Sequence, residues 1–379
     1  EKKVEASIVV QELFECAPFR GKNKEAKSQF FRGYLAGVLI VALLSIHFGL
    51  NTQQIISMTV FLAIILGAIT YWRLRLAFAL AGVAIMFFLG VLDIPHLIRY
   101  AHFDVILFLM GMMTIIGFLE DRGFFEYLLA KLMKVFSRSG VLLFTGLLVM
   151  STLFAALVDE VTSILFITAL TLRITKRYNL DPLPFVIATV MATNVGSSYT
   201  VIGNPIGVLI AFEGNLTFLD FIMWATPVGI VVLILTIFLA LIYWKSYVKA
   251  LDLGIKTMPN GGEEEKHPTF KEMKVPWIVF LTTICGLAVH HPLEHALHLP
   301  TNSLLLAVPV IMAGVSLFLS GDRARYIFEH RVEWWSLGFF IFFFTSVGTL
   351  AFTGITDLIA KGVLSFAGEH EFTIVAMLT

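Results

Sequence analysis

Long, almost uninterrupted apolar stretches are the feature that most limits how this chain can fold. Stretches of roughly 17–25 such residues match the hydrocarbon thickness of a bilayer when they form a helix. The chain is 58% hydrophobic and 14% charged, against about 45–50% and about 25% in soluble domains. The sequence therefore predicts an all-α, polytopic transmembrane bundle. We place full spans near 33–50, 54–72, 76–92, 104–119, 218–244, 276–290, 303–319 and 335–352.

Charge balance and motif content exclude several classes of function. The chain holds 27 Lys and Arg residues and 27 Asp and Glu residues, so no basic surface for a nucleic acid is expected. No phosphate-binding glycine loop, dinucleotide fingerprint or paired zinc-ligand spacing is present. We therefore expect no cofactor, no bound metal other than a transported ion, and no enzymatic activity.

Two polar clusters interrupt the apolar pattern at points where a bilayer would penalise them. The acidic cluster, Asp159–Ser163, lies between two apolar runs within 140–172, and the glycine-rich cluster, Asn194–Gly207, lies within 183–212. A charge at membrane depth costs at least ~2.5 kcal/mol on insertion scales, so it persists only with a partner, a cavity or a role. Non-helical backbone at that depth requires surrounding protein or trapped water. We predict that the two clusters are halves of one ion or solute site.

The residue types in these clusters suit ion binding. A carboxylate at this depth can hold either a proton or Na⁺, which permits exchange at one site, and unwound carbonyls also suit Na⁺. The start of a half-helix at Pro205 would instead suit an anion. Two simpler interpretations remain open: Asp159 caps the return helix at a water-exposed tip, and the glycines form an ordinary kink between packed helices. The candidate site residues are Asp159, Glu160, Thr162, Ser163, Asn194, Gly196, Ser197, Ser198, Thr200, Gly203 and Asn204.

The distribution of basic residues predicts how the chain crosses the membrane. We interpret 140–172 as a re-entrant hairpin on the cytoplasmic side and 183–212 as one crossing by a broken helix. With that threading, only Arg99 and Lys361 of the 27 basic residues lie outside the cytoplasm, in agreement with the positive-inside rule. It places the N-terminus in the cytoplasm and the protein in the inner (plasma) membrane. The amphipathic stretch 122–138 is predicted to lie at the membrane interface.

A weak internal repeat relates the two parts of the chain. Gly117 and Gly123 recur as Gly348 and Gly354, 231 residues later, each pair after a Phe-rich span and before an amphipathic segment. The threading gives the two copies opposite orientations, as in the inverted repeats of secondary transporters, whose sites lie at the midplane and use discontinuous helices. The predicted segments are an N-terminal cytoplasmic segment 1–30, a membrane domain 31–247 with the first repeat, a cytoplasmic loop 248–275, and a membrane domain 276–379 with a second repeat cut short at Thr379.

Several stretches resemble a known family. The chain is similar to the arsenite-pump and sodium–proton antiporter permeases of the ion transporter superfamily, a group that includes the melanosomal P protein and is related to the dicarboxylate carriers. The similarity runs from about Met58 to Lys249 and resumes near Glu333. Its most specific parts are 108–113, 123–128, 158–163 and Asn194–Gly207.

Three residues depart from the family's motifs. Glu160 stands where the family has Asn, Asn204 where it has an acid, and Gly207 where it has Asn. One acid is gained and one is lost, which leaves the family assignment intact and the transported species open. The resemblance implies a homodimer in which the hairpin and broken helix move together against a scaffold, in elevator fashion. The matching positions are Asp159, Asn194, Gly196, Gly203 and Pro205.

From these features we predict an ion-coupled secondary active transporter. The favoured reaction is Na⁺/H⁺ exchange, with Asp159 and Glu160 as the carboxylates that bind the ion or proton. The alternative within transport is a carrier of arsenite or a dicarboxylate, with half-helix N-termini as ligands. An intramembrane enzyme with Asp159 in an aspartyl pair, and a passive channel, are the alternatives of other classes. The expected partners are a small ion or anion, the lipid bilayer and a second copy of the chain.

Overall fold

The protein is helical throughout the part of the chain that the structure describes. The computed structural model describes residues 24–136, 138–158, 160–257 and 271–367, and no strand occurs within these ranges. The predicted all-α class is therefore confirmed. The helices are α1 Lys24–His47, α2 Thr52–Thr70, α3 Arg75–Phe88, α4 Ile94–Tyr100, α5 Phe103–Asp121, α6 Phe124–Phe136, α7 Gly140–Leu157, α8 Glu160–Arg177, α9 Leu183–Ser197, α10 Pro205–Gly214, α11 Phe218–Tyr243, α12 Lys245–Thr257, α13 Lys274–Leu297, α14 Ser303–Ser320, α15 Ala324–His330, α16 Trp334–Phe352 and α17 Ile355–Ala367.

Seven helical stretches among the described residues are long and apolar enough to cross a bilayer. They are α2, α5, α7, α11, α13, α16 and the stretch Ser303–His330, which holds α14 and α15. Large aliphatic side chains on α11 are exposed on the protein surface, including Val228, Leu235 and Leu239. A helix that is apolar all round must be covered by lipid or protein. The prediction of a polytopic membrane protein is therefore confirmed.

Side-chain caps define where several of these helices begin. Asn51 forms a capping box with Gln54 at the start of α2, and the hydroxyl of Ser139 accepts the N–H of Leu142 at the start of α7. Each cap satisfies backbone N–H groups that have no partner within the helix. Asn215 ends α10 in the left-handed conformation, which Asn adopts more readily than most residues. Local sequence chemistry thus sets where these helices begin or end.

The described residues form two compact units. The first unit covers Leu107–Val332, and its core joins α7, α8, α9, α11 and α12. Its fully buried side chains include Phe144 of α7 and Phe185 of α9, which lie edge to face with ring centroids 5.4 Å apart. This unit contains both polar clusters.

The second unit consists of the described residues before Leu107 and after Val332. Its core is formed by α2 and α3, with Ile64, Val83 and Met86 among its buried members, and Phe residues of α16 pack against it. At the start of α2, the Gln54 side-chain amide donates to the Thr353 carbonyl, 3.0 Å away, at the end of α16.

The predicted repeat has a close counterpart in the local structure. The helices α5 and α16 both contain 19 residues, and α6 and α17, which follow them, both contain 13. The glycine in each connection, Gly123 and Gly354, has a positive φ, 72° and 80° respectively. Gly tolerates this conformation because it has no Cβ. The same helix–glycine–helix unit therefore occurs twice, with corresponding residues 231 positions apart.

The helix α12 was not predicted. Residues 248–257, which we expected to belong to a cytoplasmic loop, instead continue α12 to Thr257, and residues 258–270 lie outside the described part of the chain. Val248 and Leu251 of α12 are buried against the first unit's core. The predicted interfacial helix in 122–138, in contrast, is present as α6.

Candidate transport site

The acidic cluster lies at the turn of a helical hairpin. The helices α7 and α8 each contain 18 residues and are joined only by residues 158–159, so they form a tight αα-hairpin. Glu160 is the first residue of α8 and is partly buried. An acid in the first turn of a helix is stabilised by the helix dipole. Asp159 lies outside the described residues.

The glycine-rich cluster interrupts a helix, as predicted. After α9 ends at Ser197, residues Val201–Gly203 form a short 3₁₀ turn, and α10 begins at Pro205. Thr200 and Asn204, on either side of that turn, have extended backbones. A Cβ on Gly203 would lie 2.1 Å from the carbonyl oxygen of Ser197. Only glycine therefore fits where the chain turns back on the end of α9.

Direct contacts bring the hairpin and the break together. The Thr200 hydroxyl in the break donates to the carbonyl oxygen of Ala156, 2.5 Å away, at the end of α7. One turn earlier on α7, Thr152 donates to the carbonyl oxygen of Ala192 on α9, at 3.0 Å. A Cβ on Gly196 would lie 2.2–2.7 Å from backbone atoms of Thr152. The end of α7, two residues before the acidic cluster, therefore packs directly on the glycine-rich cluster.

Asn204 organises the break. Its side-chain N–H donates to the Ser197 carbonyl at 2.8 Å, and its side-chain oxygen accepts the N–H of Gly207 at 2.7 Å. The first bond ties the two ends of the break together, and the second caps α10. The hydroxyls of Ser197 and Ser198 donate to carbonyls of their own helix, those of Asn194 and Val195. These side chains shape the site, and their oxygen lone pairs remain the atoms that can bind a ligand.

The candidate residues differ in their exposure. Ser163, Gly196, Ser197, Thr200 and Gly203 are buried, and Ser163 has no hydrogen-bond partner among the described residues. Asn194 on α9 and Ser198, the residue after α9, are exposed on the protein surface. Glu160, Thr162 and Asn204 are partly buried. The structure thus brings the buried members together around the hairpin turn and the break, and places Asn194 and Ser198 on an outer face.

One contact at the break and one at the base of the hairpin could not be predicted from the sequence. A Cβ on Gly229 of α11 would lie 2.2 Å from the Tyr199 ring, and the Thr226 hydroxyl donates to the Tyr199 carbonyl at 2.9 Å. The N–H of Gly140, at the start of α7, donates to the Asp252 carboxylate of α12 at 2.9 Å. Neither Thr226 nor Asp252 belongs to a motif, because each contact joins elements distant in sequence. The sequence feature that comes closest to indicating the contact with α11 is Tyr199, an aromatic residue within the glycine-rich cluster.

Comparison with known families agrees with this geometry. A family model described as a citrate transporter, CitMHS, matches residues 61–379. The chain belongs to the CitMHS family. It is thus a membrane transporter, as predicted, and the match includes the hairpin and the break. The inferred resemblance to the ion transporter superfamily is confirmed.

Individual relatives of this CitMHS chain support the assignment. It is 30% identical over 334 residues to an uncharacterized transporter of Mycobacterium tuberculosis, covering 86% of this chain and 75% of the relative. A second M. tuberculosis transporter is 31% identical over 299 residues, 77% of this chain and 67% of the relative. The human P protein is 30% identical over 242 residues, 60% of this chain and 29% of the P protein. The chain thus spans under a third of the P protein.

Fixed charge in the site region of this CitMHS protein is entirely acidic. The segments 140–172 and 183–214 contain no Lys, Arg or His, while their sequences include the acids Asp159, Glu160 and Glu213. Arg173 and Arg177, near the end of α8, are exposed. Within the described ranges, no three His, Cys, Asp or Glu residues are grouped as metal ligands. The site region therefore offers oxygen ligands and negative charge, a combination that suits a small hard cation.

Proposed function

We propose that the protein exchanges Na⁺ for H⁺ at the junction of the hairpin and the break. The observation that carries this proposal is the contact between the break and the end of α7, where the Thr200 hydroxyl donates to the Ala156 carbonyl, only a few residues in sequence before Asp159 and Glu160. The segments 140–172 and 183–214, which form this contact, contain no basic residue. A carboxylate in a weakly polar environment persists only with a compensating charge. That charge can be a proton or a sodium ion, so the two compete for Asp159 and Glu160. Competition for one site is sufficient for exchange when the site alternates between the two sides.

The proposal is tested by reconstituting the full chain in liposomes that contain a pH-sensitive dye. A Na⁺ gradient should move protons in the opposite direction, and Asp159→Asn should abolish that movement because an amide cannot exchange a proton. Glu160→Gln should reduce it. The matched control is Asp357→Asn, which removes an exposed carboxylate on α17 and should leave exchange unchanged. Na⁺-driven proton movement that persists in Asp159→Asn would overturn the assignment.

A second candidate function is the transport of an organic or inorganic anion. It is favoured by the description of the matching family as a citrate transporter and by the start of α10 at the break, since a helix N-terminus attracts anions. A citrate or dicarboxylate ion would meet the carboxylates of the acidic cluster, so it would require cations to enter with it. Uptake of radiolabelled citrate, succinate or arsenite driven by a Na⁺ or proton gradient would favour this alternative, provided that no Na⁺/H⁺ exchange occurs when these anions are absent.

The remaining features of the proposed transporter follow the sequence-based expectations. We place the protein in the plasma membrane with its N-terminus in the cytoplasm, as a homodimer. The hairpin and the break move together as one element, in elevator fashion. The hydrogen bonds from Thr200 and Thr152 across the hairpin–break contact support this joint movement, because a relative displacement would leave buried groups unpaired. Cross-linking of Cys pairs between protomers would test the dimer.

A further inference from the structure

The second helix of the hairpin has a buried face that is unusually rich in hydroxyl groups. Every residue on this face of α8 is at most 5% exposed. They recur with helical spacing, so they form one side of α8. Ile174 joins this face to the core that contains Phe144 of α7 and Phe185 of α9. The members of this face are Ser163, Ile167, Thr168, Thr171, Ile174 and Thr175.

Three of the four hydroxyls on this face have no hydrogen-bond partner among the described residues. Ser163, Thr168 and Thr171 are 1%, 2% and 0% exposed, and their side-chain oxygens are all unpaired. Ser and Thr in helices ordinarily satisfy the hydroxyl by donating to a carbonyl one turn earlier. Leaving a buried hydroxyl unpaired costs its desolvation free energy. We refer to these three side chains as the hydroxyl row.

Neighbouring hydroxyls in the same core do not share this property. Ser151 of α7 donates to the carbonyl of Leu147 at 2.8 Å, and Thr193 of α9 donates to the carbonyl of Thr189 at 2.9 Å. On α8 itself, Thr175 donates to the carbonyl of Thr171 at 2.9 Å. Burial in this core therefore does not prevent hydroxyl groups from bonding to their own helix. The hydroxyl row differs because its hydroxyl groups are free to form hydrogen bonds with a ligand or with water.

The hydroxyl row leads from the hairpin turn toward the basic end of α8. Ser163 lies within one helical turn of Glu160 in sequence. Thr171 lies eight residues after Ser163, about 12 Å farther along the helix axis. The three side chains lie within an arc of about 140° around the helix, given ~100° per residue. Arg173, Lys176 and Arg177, at the end of the helix, are all exposed. The row therefore spans much of the distance between the site and the surface.

We propose that the hydroxyl row binds a file of water molecules through which the transported cation passes between the site and the cytoplasmic end of α8. Hydroxyl groups suit this task because each can donate to one water and accept from another without adding a fixed charge. Water in such a position also satisfies the buried groups that the protein leaves unpaired. This inference rests on the proposed cation transport, and it names the route by which that same site is reached.

Accessibility to a water-soluble reagent tests the water file directly. In the full chain with Cys16 and Cys285 replaced by Ser, the variants Ser163→Cys, Thr168→Cys and Thr171→Cys are exposed to a cationic, membrane-impermeant methanethiosulfonate. Labelling is expected in inside-out vesicles and is expected to be slowed by Na⁺. The matched control is Thr193→Cys, equally buried but with its hydroxyl satisfied in α9, which should stay unlabelled. Labelling no faster than that control, or labelling only from the outer face, would overturn the proposal.

Substitutions that remove the hydroxyl groups test whether the row binds water or is packed without it. Ser163→Ala, Thr168→Val and Thr171→Val should each leave thermal stability nearly unchanged, because in the water file each hydroxyl bonds to water and to no other protein group. In a dry core the same substitutions would raise stability, because each would remove an unpaired buried group. Transport should fall about fivefold per variant, the equivalent of one net hydrogen bond of ~1 kcal/mol. Thr193→Val, the control, should transport normally. Normal flux in all three variants would overturn the water file. Labelling of the row in a protein that shows no Na⁺/H⁺ exchange would instead refute the proposed function and leave the water file standing.

Discussion

Single residues at the break show that a polar cluster within an apolar run can have a structural role. The hydropathy pattern could predict that Asn204 and Thr200 occupy an unusual position, because each interrupts an apolar run. It could not predict their partners, since Thr200 donates to a carbonyl 44 residues away. Asn204, which we predicted as a ligand, caps α10 and closes the break. Whether a buried polar group bonds to backbone or to a ligand depends on tertiary contacts that periodicity does not encode.

Gly196→Ala tests the contact between the hairpin and the break. The added methyl group would lie 2.2 Å from the Thr152 carbonyl oxygen, so α7 and α9 would have to separate. Overpacking of this kind costs ~1–3 kcal/mol, and we expect a lower thermal-unfolding midpoint and reduced transport. The control is Gly314→Ala in α14, where no atom lies within 4 Å of the added Cβ. A Gly196→Ala protein as stable as this control would contradict the close contact.

Asn204→Asp tests the electrostatics of the break. The new carboxylate can still accept the Gly207 N–H, but it places negative charge 2.8 Å from the Ser197 carbonyl oxygen in place of a donor. We expect reduced thermal stability at neutral pH without Na⁺. Stability should partly recover when bound Na⁺ or a proton neutralises the new carboxylate. Asn204→Ala loses both the bond to Ser197 and the cap on Gly207 without adding charge. Loss of the cap alone should cost ~0.5–2 kcal/mol, and the stability of this variant should not respond to Na⁺. Stability of Asn204→Asp that does not depend on Na⁺ or pH would contradict this account.

At the scale of elements, α12 holds the base of the hairpin. The sequence suggested a hydrophilic loop here because charged residues are frequent. The apolar residues Val248, Leu251 and Ile255, spaced three and four apart, mark one helix face, and they pack into the core with α7 and α9. The carboxylate of Asp252 then accepts the N–H of Gly140, the first residue of α7. A short amphipathic pattern of this kind is difficult to separate from a loop, whereas the hairpin and the broken helix could be predicted because long apolar runs flank them.

The pH dependence of stability should report the contact between α12 and the hairpin. The Lys256 ammonium group, 2.6 Å away, and then the Gly140 N–H hold the pKa of Asp252 below its usual value of 3.8. Because the folded-state pKa is lowered, this contribution is present above the unfolded-state value and is lost as pH falls through the folded-state pKa. Asp252→Asn should therefore unfold at a lower temperature than the wild type at pH 7, and the difference should disappear as the pH is lowered beyond that value.

A suitable control for this experiment is Asp357→Asn, which removes a carboxylate that is exposed on α17. Its unfolding temperature should follow that of the wild type across the same pH range. A constant difference between Asp252→Asn and the wild type from pH 7 to the acid limit would indicate that the carboxylate does not act through its charge.

At the scale of the whole molecule, the repeat could be recognised from a few residues because its two copies keep the same local design. The pairs α5–α6 and α16–α17 have identical helix lengths and a glycine with positive φ at the same position. Their opposite orientation in the membrane is a separate prediction, since it follows from the distribution of basic residues. Helix lengths are set by local sequence, whereas orientation depends on the lipid and on insertion.

Sidedness of labelling tests the inverted repeat. Lys131 of α6 and Lys361 of α17 lie at nearly equivalent positions of the two copies, and both are exposed. In a background without Cys16 and Cys285, Lys131→Cys should react with an impermeant maleimide only in inside-out vesicles, and Lys361→Cys only in right-side-out vesicles. Lys249→Cys, exposed on α12, should behave like Lys131→Cys because both are assigned to the cytoplasm. If Lys131 and Lys361 react from the same side, the repeats are parallel, and a midplane site between inverted halves is no longer a possible architecture for this transporter.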